Sequence, residues 1–279
     1  MIPDGAIDPT ILEAATVKQC RHGVFHYFAH DAYIGRSLDR YGEFSESEVA
    51  LFGQLLKPGA IVVEAGANIG ALSVPIARQV GATGRVVAYE PQAPLAALLA
   101  RNLAANGLAH VEVRRAALGA QPGRIRVPAL DYRASGNFGG VALGGGDGDD
   151  VPVETIDALG LARADLIKID VEGMEVEVLA GAAATIRRCR PVLYVENDRA
   201  ERSRQLITAL LDLDYRAWWH FAGLFNPGNF FGVAENVFEQ ILSVNLLCFP
   251  AAWQMTVAGG IPVLGPDDDW DSARRRAGP

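Results

Sequence analysis

Cysteine is scarce in this chain: there are three in 279 residues, Cys20, Cys189 and Cys248, odd in number, far apart and without a CxxC pair. That excludes a disulfide framework and a zinc or dithiol redox centre, and reduced core thiols are expected. Long apolar runs are missing too, since no stretch approaches the about 18 residues of a membrane span. The opening MIPDGAIDPT carries acids and prolines where a secretory leader needs basic residues and an apolar run. A cytoplasmic protein with no membrane partner is therefore expected. Positive charge is in deficit, with 25 Lys and Arg against 33 Asp and Glu and a net charge of -8. Such a surface repels phosphate backbones, so nucleic acid is not expected as a substrate. The one compact basic cluster, Arg274 to Arg276, lies beside Asp267, Asp268, Asp269 and Asp271, and mixed-sign charge near a terminus reads as solvated, mobile chain.

What the chain does have is the composition of a globular protein, 50% hydrophobic and 21% charged. Its length suits one domain with extensions: a cover over 1–48, a catalytic domain over 49–250 and a tail over 251–279. Short apolar, β-branched runs bounded by Gly, Pro or Asp alternate with Ala- and Leu-rich helical patterns, the signature of repeated β-α units and a mainly parallel sheet. Seven strands are predicted, over 61–64, 85–90, 111–115, 166–170, 192–196, 215–220 and 246–249. Helices are predicted over 71–80, starting near Leu72 so that Pro75 falls in the first turn, and over 94–106, 175–184 and 201–213. Two segments break the rhythm, a Gly-rich stretch in 121–153 and an Asn- and Phe-rich one in 226–243; long connections of this kind are commonly functional or mobile.

The strongest local feature is VVEAGANIGALS, where a strand ending in Glu64 turns through Gly66 and Gly70 into a helix. Glycines there let backbone approach a ligand, and a helix N-terminus favours an anion. A dinucleotide site wants GxGxxG, and Asn68 stands where the glycine that admits a pyrophosphate would be. S-adenosylmethionine fits better: it has no phosphate, its carboxylate suits the helix N-terminus, and its sulfonium and ammonium suit nearby acids. Glu90 ends the second strand, where a carboxylate beside the loop accepts hydrogen bonds from ribose hydroxyls. In DLIKIDVEGMEVEVLAG, Lys168 and Asp170 share a strand face, with Asp170 at the C-terminal end where ligands sit in open α/β sheets.

These segments, EAGANIG, AYEP, IKIDVEG and the following RPVLYVEN, resemble the FkbM family of methyltransferases over about residues 40–250. The resemblance implies an α/β fold of the Class I methyltransferase type, a Rossmann-like seven-stranded sheet with helices on both faces and an antiparallel last strand. It implies S-adenosylmethionine as donor and a hydroxyl of a small molecule, a natural product or sugar, as acceptor. On this reading the cofactor-binding residues are Tyr41, Glu43, Glu64, Gly66, Asn68, Gly70, Glu90, Pro91, Ala117 and Asp170, the Gly-Glu of YGEFSE matching the family's approach to the donor. Glu64 stands where such enzymes commonly have Asp.

If the strands ending in Asp170 and in Glu196-Asn197 are neighbours, as the sheet of the resembled family implies, they lie about 4.8 Å apart, and the three residues make an oxygen set suited to Mg2+ and similar to that of catechol O-methyltransferases. His220 is the best-placed general base in sequence terms, with Lys168 behind it. The Asn226, Asn229 and Asn236 set reads either as an acceptor pocket or as turn chemistry, and His22, His26 and His30 recur every four residues in a segment too poor in helix formers to align them. A homo-oligomer is compatible with all this. The rival readings are a nicotinamide-dependent oxidoreductase, which wants a glycine at position 68, and a non-catalytic module that keeps the cofactor fold.

Overall fold

The computed structural model describes residues 9–277, so the reading of the opening residues before Pro9 lies outside the described residues. In chain order the elements are α1 (Pro9–Glu13), a hairpin of β1 (Thr16–Cys20) and β2 (Gly23–Tyr27), α2 (Ile34–Tyr41), α3 (Glu46–Leu55), β3 (Ile61–Ala65), α4 (Ser73–Val80), β4 (Arg85–Tyr89), α5 (Ala93–Ala105) and β5 (Val111–Arg114). Then follow β6 (Ala117–Leu118), β7 (Gly123–Pro128), β8 (Gly148–Glu154), β9 (Leu166–Ile169), α6 (Glu175–Gly181), α7 (Ala183–Cys189), β10 (Val192–Glu196), α8 (Ala200–Asp212), β11 (Tyr215–Gly223), β12 (Leu242–Pro250), β13 (Ile261–Pro262) and α9 (Trp270–Ala277).

The central sheet runs β13-β11-β12-β10-β9-β3-β4-β5. β3, β4, β5, β9 and β10 are mutually parallel, while β12 is antiparallel to both β10 and β11. All seven predicted strands are present, because Val- and Ile-rich runs such as Ile61–Ala65 and Leu166–Ile169 are buried on both faces, as parallel strands between helix layers must be. Alternate residues of each strand feed opposite cores. Val62, Leu166, Tyr194 and Leu247 pack under α3, α4 and α5, whereas Val63, Ile167, Leu193 and Leu246 pack against α6, α7 and α8.

Four expectations needed correction. The predicted helix over 175–184 is two, broken at Ala182 (φ -110°). The irregular 121–153 segment contains the hairpin β7–β8, which with β6 forms its own three-stranded sheet. It escaped the hydrophobic pattern because one face is polar and exposed, with Arg124 paired to Asp150, and only Val127 and Val151 are deeply buried. The tail is not simply solvated chain: Asp268 accepts from Trp219 Nε1 (3.0 Å) and Arg276, and Ala273 of α9 is fully buried. Within the 1–48 cover, the β1–β2 hairpin is sewn to α5 by Asn102, whose amide takes His26 N–H and gives to His26 and Ile69 carbonyls, so Phe25, Tyr27 and Phe28 belong to the main core. No helix among the described residues is long and apolar enough to cross a membrane. The three cysteines are free thiols.

Candidate functional site

At the C-terminal edge of the sheet the β3–α4 loop is shaped by two glycines and one strained asparagine. Gly66 has φ +80°, and a Cβ there would lie 1.7 Å from the carbonyl oxygen of Asp170; Gly70 has φ +84°, with a Cβ 2.6 Å from Leu99 Cδ1. Neighbouring chain thus requires both glycines; Gly66 also lines the two cavities described below, as the reading from sequence expects, whereas Gly70 lines neither. Asn68 adopts the left-handed region (φ +51°), as does Glu172 (φ +58°) in the motif opposite; non-glycine residues held there cluster at functional sites. The turn aims the Asn68 N–H at Glu90 Oε2 (2.9 Å), while Gln92 N–H reaches Glu90 Oε1 (2.8 Å). Each oxygen of Glu90 so gains one fixed donor and keeps a free lone pair.

A cavity of about 320 Å³ opens above this loop, and its wall carries seven carboxylates, Asp31, Glu64, Glu90, Asp170, Glu172, Glu196 and Asp198, against the single cation Lys168. The lining also includes the apolar Phe44, Leu224 and Ile241. A smaller cavity of about 40 Å³ shares Gly66, Glu90 and Asp170 with it and is lined further by Pro91, Ala117 and Met174.

Crowded acids in a buried wall hold their protons. Burial pushes Glu64 and Glu90 up to about 7, against the opposing pull of Lys168 on the first and of the Gln92 and Asn68 N–H groups on the second. Glu172 is likewise raised to about 7, by burial and then by Asp170. Glu196 is raised well above the usual carboxylate range, by burial and then by Asp170, and its Oε2 has no hydrogen-bond partner. Lys168 is fully buried with Nζ 2.9 Å from Asp170 Oδ2. Burial alone would lower its pKa, but Asp170, Glu64 and Glu48 raise it overall. It is a fixed cation, and this overturns its candidacy as a base.

Oxygens of Asp170, Glu172 and Glu196 lie within 4.8 Å of one another. Asn197, grouped with them from the sequence, does not join: successive strand residues face opposite sides, and its Nδ2 donates to Ser203 Oγ of α8 (2.9 Å). Glu172 takes its place, a residue whose signal was present in IKIDVEG. His220 lines neither cavity. Its Nδ1 is 2.7 Å from Tyr194 Oη, and burial lowers its pKa, so it is a neutral imidazole with a structural partner.

Tyr41 and Glu43 also stand away from both cavities. Tyr41 is buried between Phe225 and Phe238 and donates to the Glu235 carbonyl. Glu43 accepts from Arg21 Nε (2.6 Å), Asn226 Nδ2 (2.7 Å) and Phe230 N–H (2.8 Å). Together they pin the 226–238 loop, and the asparagine amides there are spent on that loop's own turns and, through Asn226 Nδ2, on Glu43. His22 and His26 are likewise separately engaged, by Glu46 and Asn102. Sequence reasoning missed Asp31, Asp198 and the segment 137–143, which reach the cavities from distant loops.

A parallel sheet with a reversed strand next to its last neighbour, under an acid-lined cavity at its C-terminal ends, is the Rossmann-like fold of Class I methyltransferases. Residues 64–217 match the family model described as the methyltransferase FkbM domain. The chain belongs to that family, which sets aside the nicotinamide reading. It is 29% identical over 207 residues to the AMB antimetabolite synthetase AmbE of Pseudomonas aeruginosa, over 58% of this chain and 10% of that protein. The chain thus spans about a tenth of the length of that curated relative. Similar solved structures include the methyltransferase FkbM from Methylobacillus flagellatus (17% identity, TM-score 0.45, 72% of this chain and 50% of that one). Another is the O-methyltransferase TomG from Streptomyces achromogenes (16% identity, TM-score 0.45, 74% and 78%).

Proposed function

We propose that the chain moves a methyl group from S-adenosylmethionine to a hydroxyl oxygen of a small-molecule acceptor. The observation that carries the reading is the cavity wall, seven carboxylates against one lysine, with Glu90 presented by two backbone N–H groups. When bound, the donor supplies an electrophilic methyl on a positively charged sulfonium. Such a wall favours that charge and disfavours phosphates, consistent with an acceptor that is not nucleic acid. The free lone pairs of Glu90 take the ribose hydroxyls, and the smaller cavity beside Pro91 and Ala117 takes the base. Direct displacement demands alignment of acceptor oxygen, carbon and sulfur and removal of one proton. Asp170, held in place by the buried Lys168 ammonium 2.9 Å away, is the group that receives it.

Asp170, Glu172 and Glu196 fit a hard divalent cation such as Mg2+ by donor chemistry, and the partnerless Glu196 Oε2 is a vacant acceptor in that set. A bound ion would supply Lewis acidity toward the acceptor hydroxyl. The test is calorimetric titration with S-adenosylhomocysteine, then radiolabelled methyl transfer to a panel of hydroxyl, amine and thiol compounds, each with Mg2+ and after EDTA. Binding followed by base-stable labelling of alcohols supports the reading. Absence of binding, or labelling confined to amines, overturns it, and activity indifferent to EDTA removes the ion.

A further inference from the structure

The segment 132–143 crosses the site where the two cavities meet. Asn137, Gly139 and Gly140 line the larger cavity, and Gly139, Val141 and Leu143 line the smaller. A Cβ on Gly139 would lie 3.0 Å from Asn68 Nδ2, so this chain packs against the side chain that the β3–α4 loop presents.

The segment is fastened at both ends, over 132–138 as follows and again just beyond Leu143, where Gly144 N–H donates to the Arg126 carbonyl (2.8 Å). Phe138 is buried against Phe28 and Tyr132, with ring centroids 5.9 and 4.9 Å away. Its N–H donates to Asp31 Oδ1 (3.2 Å), and Gly136 exchanges backbone hydrogen bonds with His30 and Ala32. Gln92 makes the link to the site: its N–H donates to Glu90 Oε1, its Nε2 to the Phe138 carbonyl (2.7 Å), and its Oε1 accepts from Tyr132 Oη (2.7 Å). Past Phe138 the sequence GGVALGGG has five glycines in eight residues, a stretch with little side-chain resistance to bending.

We infer that 132–143 is a strap closing over the bound donor, and that Gln92 is the positioning residue coupling it to the ribose acid Glu90. The inference rests on the donor reading above. A ligand held by Glu90 and spanning both cavities leaves only when the strap lifts off Gln92. Gln92 is buried, and all its hydrogen-bonding side-chain atoms are spent on the strap, so what it does for the donor is done through the strap and through Glu90.

The experiment uses S-adenosylhomocysteine as probe, with stopped-flow dissociation rates and hydrogen exchange on the wild type, Gln92→Ala and the milder Tyr132→Phe. Expected are slower amide exchange over 136–141 in the wild-type complex and dissociation about fivefold faster in Tyr132→Phe, the size of one neutral hydrogen bond, with a larger increase in Gln92→Ala. Unchanged dissociation in a folded Tyr132→Phe, or a lowered melting temperature as its only effect, overturns the strap. Wild type that does not bind the probe refutes the donor reading instead.

Discussion

Lys168 Nζ stands 2.9 Å from Asp170 Oδ2, two residues along on the same strand face, with the lysine side chain 2% exposed and the aspartate 37% exposed. The ion pair therefore runs from the protein interior to the cavity wall, and the buried ammonium also faces Glu64 and Glu48. Among the described residues it is the sole positive charge on that wall.

Removing it leaves buried carboxylates without a counter-charge. Lys168→Met is expected to cost about 3–5 kcal/mol at pH 8, the range for breaking a buried pair from one side. The loss shrinks toward pH 5, where the carboxyls protonate. Urea unfolding at the two pH values checks this; equal losses at both would refute it.

The raised carboxyls fix the sign of the pH dependence. Glu64, Glu90 and Glu172 sit at about 7 in the folded chain against 4.5 ordinarily, and burial and Asp170 raise Glu196 well above the usual carboxylate range. A group raised on folding contributes stability that is present in full below its unfolded value and is lost as pH rises through its folded value. The melting temperature of the free protein is expected to fall between pH 5 and 8, less steeply in Glu196→Gln. A melting temperature that climbs through that window would contradict the assignment.

A cationic ligand reverses those shifts. Binding of S-adenosylmethionine at pH 7 is expected to release protons, because its sulfonium and ammonium favour the ionised carboxylates. Titration in buffers of different ionisation enthalpy measures the number released, and zero release or uptake would count against the cationic donor.

Loss of the Glu90 carboxylate strikes binding more than folding. Glu90→Ala is expected to weaken S-adenosylhomocysteine by about 10–100-fold, since hydrogen bonds to a charged group are worth roughly 1.5–3 kcal/mol each. His220→Ala, away from both cavities, is expected to keep that affinity within about threefold. Equal effects from the two variants would show that the geometry has been misassigned.

Gly66→Ala tests the loop. Its Cβ would overlap the Asp170 carbonyl at 1.7 Å, and φ there is +80°. The variant is expected to fold poorly or to lose the probe altogether, whereas Gly53→Ala, where an added Cβ meets nothing within 4 Å and which lines neither cavity, should retain binding.

The sequence by itself determined the sheet, the loop and the acids at the strand ends, because these depend on local patterns: β-branched runs, glycine spacing, and alternation along a strand. The same alternation, applied one residue further, separates Glu196 from Asn197 and was legible without coordinates. Only the tertiary structure decided which groups meet. Asp31, Asp198 and Gly139 are brought to the cavities from loops far apart in the chain, and Tyr41 and Glu43 are drawn away to hold the 226–238 loop. Lys168 shows the physical reason most plainly. Its type, its position and its partner Asp170 were visible in IKIDVEG, yet the burial that opposes its charge, and the Glu64 and Glu48 carboxylates that add to the hold of Asp170, come from other elements and surround it only after the chain has packed.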